Sequence, residues 1–250
     1  MNKNERHNWY LTRGKTAILI DGGFFLKRLK SLDKQRNNWD TDYVVKMIQI
    51  LCVEHAAHME QQIYRVFYYD CPPFDLGIHN PLSGDFVKFN TTSQYLFKTE
   101  LFEKLRSMRK MALRLGRISL NASYSWQIKP SKIHDLLTGK ITVKDLDPEK
   151  DILPSLQQKQ VDIKIGVDIA SMALKHQVES IVLVAGDGDF VPASKLARRE
   201  GVDFILDPMW AHIKPDLKEH VDGIRSVLFN LKDNKSKTES RDQHVKTDMP

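Results

Sequence analysis

Cysteine is scarce: Cys52 and Cys71 are the only two in 250 residues. They are too few and too far apart for a disulfide framework or a Cys-rich zinc site. Long apolar runs are missing as well. The longest, Thr16 to Ile20 and Ile181 to Ala185, fall far short of the ~20 residues that a membrane span needs. The polar opening MNKNERHNWYLTRGK has no apolar segment of the secretory-signal kind. A reduced, cytoplasmic protein with no membrane partner is the expectation. Familiar catalytic signatures are also absent. Arg13-Gly14-Lys15-Thr16 ends like a phosphate-binding loop, but Trp9 stands where its first glycine belongs, and the motif precedes a strand instead of following one. His55 and His58 have no HExxH context, and no serine sits in a nucleophile elbow.

What is present is a globular composition, 41% hydrophobic and 28% charged, with a chain long enough for one to two domains. The net charge of +6 is unevenly spread. Between Lys98 and Lys140 ten basic residues face only three acids, so the positive excess is confined to one region. Such confinement suggests a polyanionic partner. Leu101, Leu105, Met108, Ala112 and Leu115 repeat with helical spacing and predict one apolar face. Arg106, Arg109, Lys110 and Arg117 then fall near the opposite face, as a basic stripe or an ordinary solvated surface. Tyr124 and Trp126 follow, available for stacking on bases or for core packing.

Around this region the chain reads as an α/β protein with a parallel sheet flanked by helices. TAILID predicts a buried strand ended by Gly22-Gly23, and Phe24 to Leu32 a helix. Asp40-Thr41 caps a helix to about His58, and Ile63 to Tyr69 is a second strand. Val161 to His176 is helical, Ser180 to Ala185 a strand, Phe190 to Glu200 a helix closed by Gly201, and Val202 to Leu206 a strand. The expected organisation is a single domain over 15–228. Residues 71–158 form a basic, largely helical insertion within it, with an N-terminal extension over 1–14 and a disordered tail over 233–250.

Four predicted strands end in an acid: Asp21, Asp70, Asp187 and Asp207. In an open parallel sheet the carboxyl ends share one edge, where such folds place their sites. Carboxylates gathered there repel each other unless protonated or bridged by cations, and hard ions such as Mg²⁺ or Mn²⁺ prefer oxygen ligands. Each acid alone could equally be a turn or N-cap residue. Asp21 and Asp187, each beside glycines, carry the metal-binding expectation best. Asp162 adds a candidate at the start of a helix. Asp168 cannot share its helix face, and Asp189 is placed to orient water or a second metal.

The segments AILIDGGFF, FYYDCPP, HNPLSGDF, QKQVDIKIGVDIA and IVLVAGDGDFVPASKLARREGVDFILD together resemble the NYN domain, in its bacterial LabA-like branch. This resemblance implies a Rossmann-like, PIN-like fold and metal-dependent cleavage of RNA. It implies catalytic roles for Asp21, Asp162, Asp187 and Asp189, with Asp21, Asp162 and Asp187 holding Mg²⁺ or Mn²⁺. Asp70, Asp168 and Asp207 are candidates for supporting positions, and Arg106, Arg109, Lys110 and Arg117 for RNA binding. Composition does not separate RNA from DNA, nor monomer from homo-oligomer. Two departures from the family pattern stand out: Phe24 replaces a common Asn, and Ala185 and Gly188 replace hydroxyl residues. Two alternative readings remain, a non-catalytic RNA-binding or scaffold protein that retains the fold and a haloacid-dehalogenase-like phosphatase. GDGDF resembles a phosphatase motif, but the phosphatase needs a second acid where Gly23 stands.

Overall fold

The computed structural model describes residues 14–36, 39–121 and 123–229. The expected tail, and the expected N-terminal extension apart from Gly14, lie outside the described residues. In chain order the elements are β1 (Lys15–Asp21), α1 (Gly22–Leu32), α2 (Thr41–Met59), β2 (Gln62–Asp70), β3 (Gly77–His79), β4 (Phe86–Lys88) and α3 (Ser93–Ser107). There follow β5 (Met111–Leu115), β6 (Arg117–Leu120), β7 (Trp126–Ile128), α4 (Pro130–Leu137), β8 (Ile152–Pro154) and β9 (Leu156–Lys159). The chain closes with α5 (Val161–Leu174), β10 (Ser180–Val184), α6 (Val191–Arg199), β11 (Asp203–Asp207), α7 (Pro215–Glu219) and β12 (Gly223–Ile224).

Six strands form one sheet in the order β12-β11-β10-β1-β2-β5, every neighbouring pair parallel. Its central strands are buried on both faces, which is why TAILI and SIVLV read as unbroken apolar runs rather than alternating ones. Alternation is nevertheless present in the packing. Ala17, Leu19, Phe67, Tyr69, Ile181 and Leu183 pack with Ile165, Ile169 and Ala197 of α5 and α6. Ile18, Ile20, Val66, Tyr68, Val182 and Val184 pack with residues of α1, α2 and α3, such as Phe25, Ile48 and Leu101. Helices α1, α2 and α3 thus cover one face of the sheet, and α5 and α6 the other. The chain runs outward from β1 through β2 to β5, then returns to place β10 on the other side of β1. That reversal opens a crevice at the carboxyl ends of β1 and β10, where open α/β sheets bind ligands.

Residues 71–158 do not behave as one insertion. Leu101, Phe102 and Leu105 of α3 belong to the core, and β5 is the sixth strand of the sheet. The remainder is not largely helical. It contains three two-stranded antiparallel ladders, β3–β4, β6–β9 and β7–β8, together with the short α4. The helix expected to run through Leu115 stops at Ser107. Lys110 adopts a left-handed φ of 65°, and MALRL pairs with β2 as a strand. Tertiary pairing overrides the helical propensity of those residues.

Candidate active site

Strand parity divides the strand-end acids between the two faces of the sheet. Asp21 follows Ala17 and Leu19 at alternate positions and so points toward the α5–α6 side. Asp70 and Asp207 follow the opposite parity, toward α1–α3. Asp21 also begins α1: its Oδ1 accepts from the Phe24 N–H at 3.0 Å. Gly22 is required there, because a Cβ would stand 2.6 Å from the Tyr68 ring.

Crossover helices run against the strands, so α5 starts at the carboxyl edge. Its N-cap is Gln160, with φ 73° and no side-chain cap bond. Asp162 in the first turn is therefore not used for capping, contrary to the simplest reading of its position. After β10, Asp187 caps the short turn Gly188–Phe190 and accepts from the Asp189 N–H at 3.3 Å. Gly186 is held small by Phe24, whose ring lies 2.5 Å from where a Cβ would sit. Phe24 therefore fills space beside the Asp187 loop.

Electrostatics tie these acids together. Burial pushes the Asp21 carboxyl up to about 6, against a lowering bond from Phe24, with Asp162 and Asp70 adding repulsion. Asp162 is also raised, first by lost hydration and then by Asp187 and Asp189. Among the described residues no Lys, Arg or His pairs with Asp21, Asp162, Asp187 or Asp189. Behind them, Asp70 Oδ2 and the Tyr68 hydroxyl are buried without a hydrogen-bond partner. Both Asp70 and Asp21 raise the Tyr68 phenol, after burial.

This oxygen-only, unneutralised donor set fits a hard divalent cation. It does not close on one point: no three His, Cys, Asp or Glu side chains among the described residues could hold a single ion. The expected convergence of Asp21, Asp162 and Asp187 is thus looser than a three-carboxylate cage. Like charges without a cation between them hold apart, and Mg²⁺ is commonly bound by one or two carboxylates with waters completing its shell.

The three supporting candidates have other partners. Asp70 Oδ1 accepts from Lys98 Nζ at 2.7 Å and from the Cys71 N–H at 2.7 Å. Asp168 Oδ2 accepts from the Tyr69 hydroxyl at 2.9 Å and Arg114 Nε at 3.1 Å. Asp207 is fully buried beside His55. Of the three, Asp70 couples to the acid edge, through Asp21.

The basic stripe separates. Arg106, Arg109 and Lys110 precede β5 at the amino edge of the sheet, where Lys110 Nζ donates to the Ile63 carbonyl. Arg117 lies beyond the carboxyl end of β5, on β6. Local charge is also more neutralised than the sequence suggests, since Lys98, Lys104, Arg114, Lys132 and Lys140 all form ion pairs. Two cations have places that the count of basic residues does not show. Lys98 shares a helix face with Leu101, Phe102 and Leu105, and a cation on an apolar face was the available signal. Exposed Lys214, whose Cδ lies 3.6 Å from a Cβ placed on Gly188, gave none.

A six-stranded parallel sheet flanked by helices on both faces is the architecture of a PIN-like fold. The NYN domain profile matches residues 91–227, more than half of the chain. The chain belongs to the NYN domain family, part of the PIN-like nuclease superfamily, whose members generally use divalent metals and act on RNA. The matched region begins after β1, so Asp21 joins it through the fold. No curated protein matches the sequence. Among solved structures, a protein of unknown function from Vibrio parahaemolyticus is 15% identical with a TM-score of 0.46, over 86% of this chain and 93% of that one. Sir2Tm bound to a propionylated peptide is 9% identical with a TM-score of 0.36, over 96% of this chain and 99% of that one. No helix among the described residues is long and apolar enough to cross a membrane.

Proposed function

We propose that the protein is a metal-dependent ribonuclease that hydrolyses RNA phosphodiesters at the carboxyl edge of its sheet. One observation carries the reading: Asp21, Asp162, Asp187 and Asp189 lie at the carboxyl edge by the switch point, and among the described residues no Lys, Arg or His forms an ion pair with any of them. Asp21, Asp162 and Asp187 are the residues to hold Mg²⁺ or Mn²⁺. The bound ion would supply charge stabilisation at the phosphate and a more acidic water.

The remaining work falls to the chain itself. Asp189 is exposed and forms no ion pair among the described residues, so its carboxylate is placed to orient the attacking water and accept its proton. Asp21, raised by burial, must shed its proton before it can ligate, which ties activity to pH. Lys214 beside Gly188 and the uncapped start of α5 offer positive charge to a phosphate. Phe24 walls the Asp187 loop on its other side.

The open spacing of the carboxylates favours one second reading, an RNA-binding protein of the same fold without turnover. Labelled RNA incubated with Mg²⁺, Mn²⁺ or a chelator separates the two. Shortened products that depend on the metal support the nuclease. A stable complex with intact RNA in every condition supports the binding protein.

A further inference from the structure

Outside the sheet, the ladders β3–β4, β6–β9 and β7–β8 and the start of α3 enclose a cavity of about 460 Å³, within the ~300–1,000 Å³ range of small-ligand sites. Four aromatic side chains line it, and the acids Asp85 and Glu149 stand on its walls as well. Phe74 meets Phe89 edge-on at 5.3 Å between centroids, and Phe89 meets Trp126 at 6.1 Å, with Tyr95 also on the wall. Polar groups stand ready among these rings. The Tyr95 hydroxyl, the Trp126 indole N–H and the side-chain amide of Gln158 make no hydrogen bond among the described residues.

The charge on the lining excludes a phosphate. Lys98 is its only cation, and that cation is bound to Asp70 at 2.7 Å and to the Cys71 carbonyl at 3.4 Å. Chain geometry fixes where the cavity lies. Pro72 to Phe74 of the lining follow the carboxyl end of β2, Ile118 follows that of β5, and Gln158 lies two residues before the N-cap of α5, so the cavity adjoins the carboxyl edge of the sheet. A ligand suited to these walls is flat, uncharged and edged with donors and acceptors. A nucleobase has that chemistry, since aromatic side chains stack on its face while amides read its edge.

We propose that the cavity receives one unstacked nucleobase of the strand whose phosphate lies at the acid edge, so that the protein selects the nucleotide beside the cut. This rests on the nuclease reading for its consequence but not for its binding chemistry. AMP, GMP, CMP and UMP titrated into the full chain in chelator, followed by titration calorimetry, test binding without cleavage. One nucleotide should bind at least tenfold better than the poorest. Trp126→Ala should weaken it at least tenfold, and a short RNA carrying that base should compete.

Sequencing the ends of cleaved random RNA tests selection. A base preference beside the cut should appear, and should flatten in Tyr95→Ala and in Gln158→Ala, whose exposed side chain is not needed for folding. No nucleotide binding together with an unchanged end profile in both variants would overturn the proposal while leaving the nuclease intact. A nucleotide that RNA cannot displace would overturn it too, by assigning the cavity to a free metabolite. Base binding that depends on Trp126, in a protein that cuts no RNA, would uphold the cavity and remove the nuclease.

Discussion

His55 Nε2 lies 2.9 Å from Asp207 Oδ2, with both side chains almost completely removed from water. Asp207 ends β11 much as Asp21 ends β1, yet it faces α2 instead of the acid edge. His55 holds one carboxylate oxygen, and the Met209 N–H donates to the other at 2.8 Å. A strand-end acid that the sequence offers as a supporting residue of the site thus serves as a buried tie between sheet and helix.

Removing one partner strands the other without compensation. His55→Leu should cost about 3–5 kcal/mol in urea unfolding. Adding Asp207→Asn should recover part of that loss, because the amide is uncharged and still accepts from Met209. Cleavage per folded molecule should be unchanged in both variants. A loss of activity with intact stability would mean that the pair acts at the site.

Asp21 makes stability depend on pH. Its folded carboxyl is raised to about 6 from an ordinary 3.8, so the folded chain holds this proton more tightly than the unfolded chain. Its stabilising contribution is therefore full below about pH 4 and is lost as pH rises through 6. Without divalent metal, thermal unfolding should reflect this loss, whereas Asp21→Asn should escape it. Asparagine retains the helix cap, so the variant should be about 1–2 kcal/mol more stable near neutral pH, yet inactive. Added Mg²⁺ or Mn²⁺ should stabilise the parent increasingly above pH 6, since ligation needs the ionised carboxylate. An Asn variant with the parent's pH profile would contradict the assignment.

The position of each basic residue predicts its effect on binding. Arg117→Gln and Lys214→Gln, on the carboxyl-edge side of the fold, should each reduce the salt dependence of single-stranded RNA binding by a slope of ~0.7. Arg106→Gln and Lys110→Gln, at the amino edge, should leave it unchanged. Equal effects from all four would show that RNA wraps both edges.

Much of the framework was legible because buried parallel strands leave plain marks. TAILI, VFYY, SIVLV and FIL are continuous apolar runs, each followed within a few residues by an acid, Gly or Pro. Their helices carry ordinary caps, such as Asp40 accepting from the Tyr43 N–H at 2.7 Å. The region around Met108 misled because Leu101 to Leu115 keeps helical spacing across a real break. That break is Lys110, a non-glycine residue held at positive φ by pairing with strands distant in sequence. The division of the acids was hidden for a related reason. Whether Asp21 shares an edge with Asp162, or Asp70 meets Lys98, depends on strand parity against helices that the sequence does not place on a face.

The most direct test pairs the parent with Asp187→Asn on end-labelled RNA, with Mg²⁺ or Mn²⁺, at matched folded concentrations confirmed by unfolding curves. Metal-dependent cleavage is expected of the parent, abolished by a chelator, and none of Asp187→Asn, which should still bind RNA. An Asp187→Asn protein that cuts as fast as the parent, or a parent that binds RNA and never cuts it with either metal, would contradict the nuclease reading.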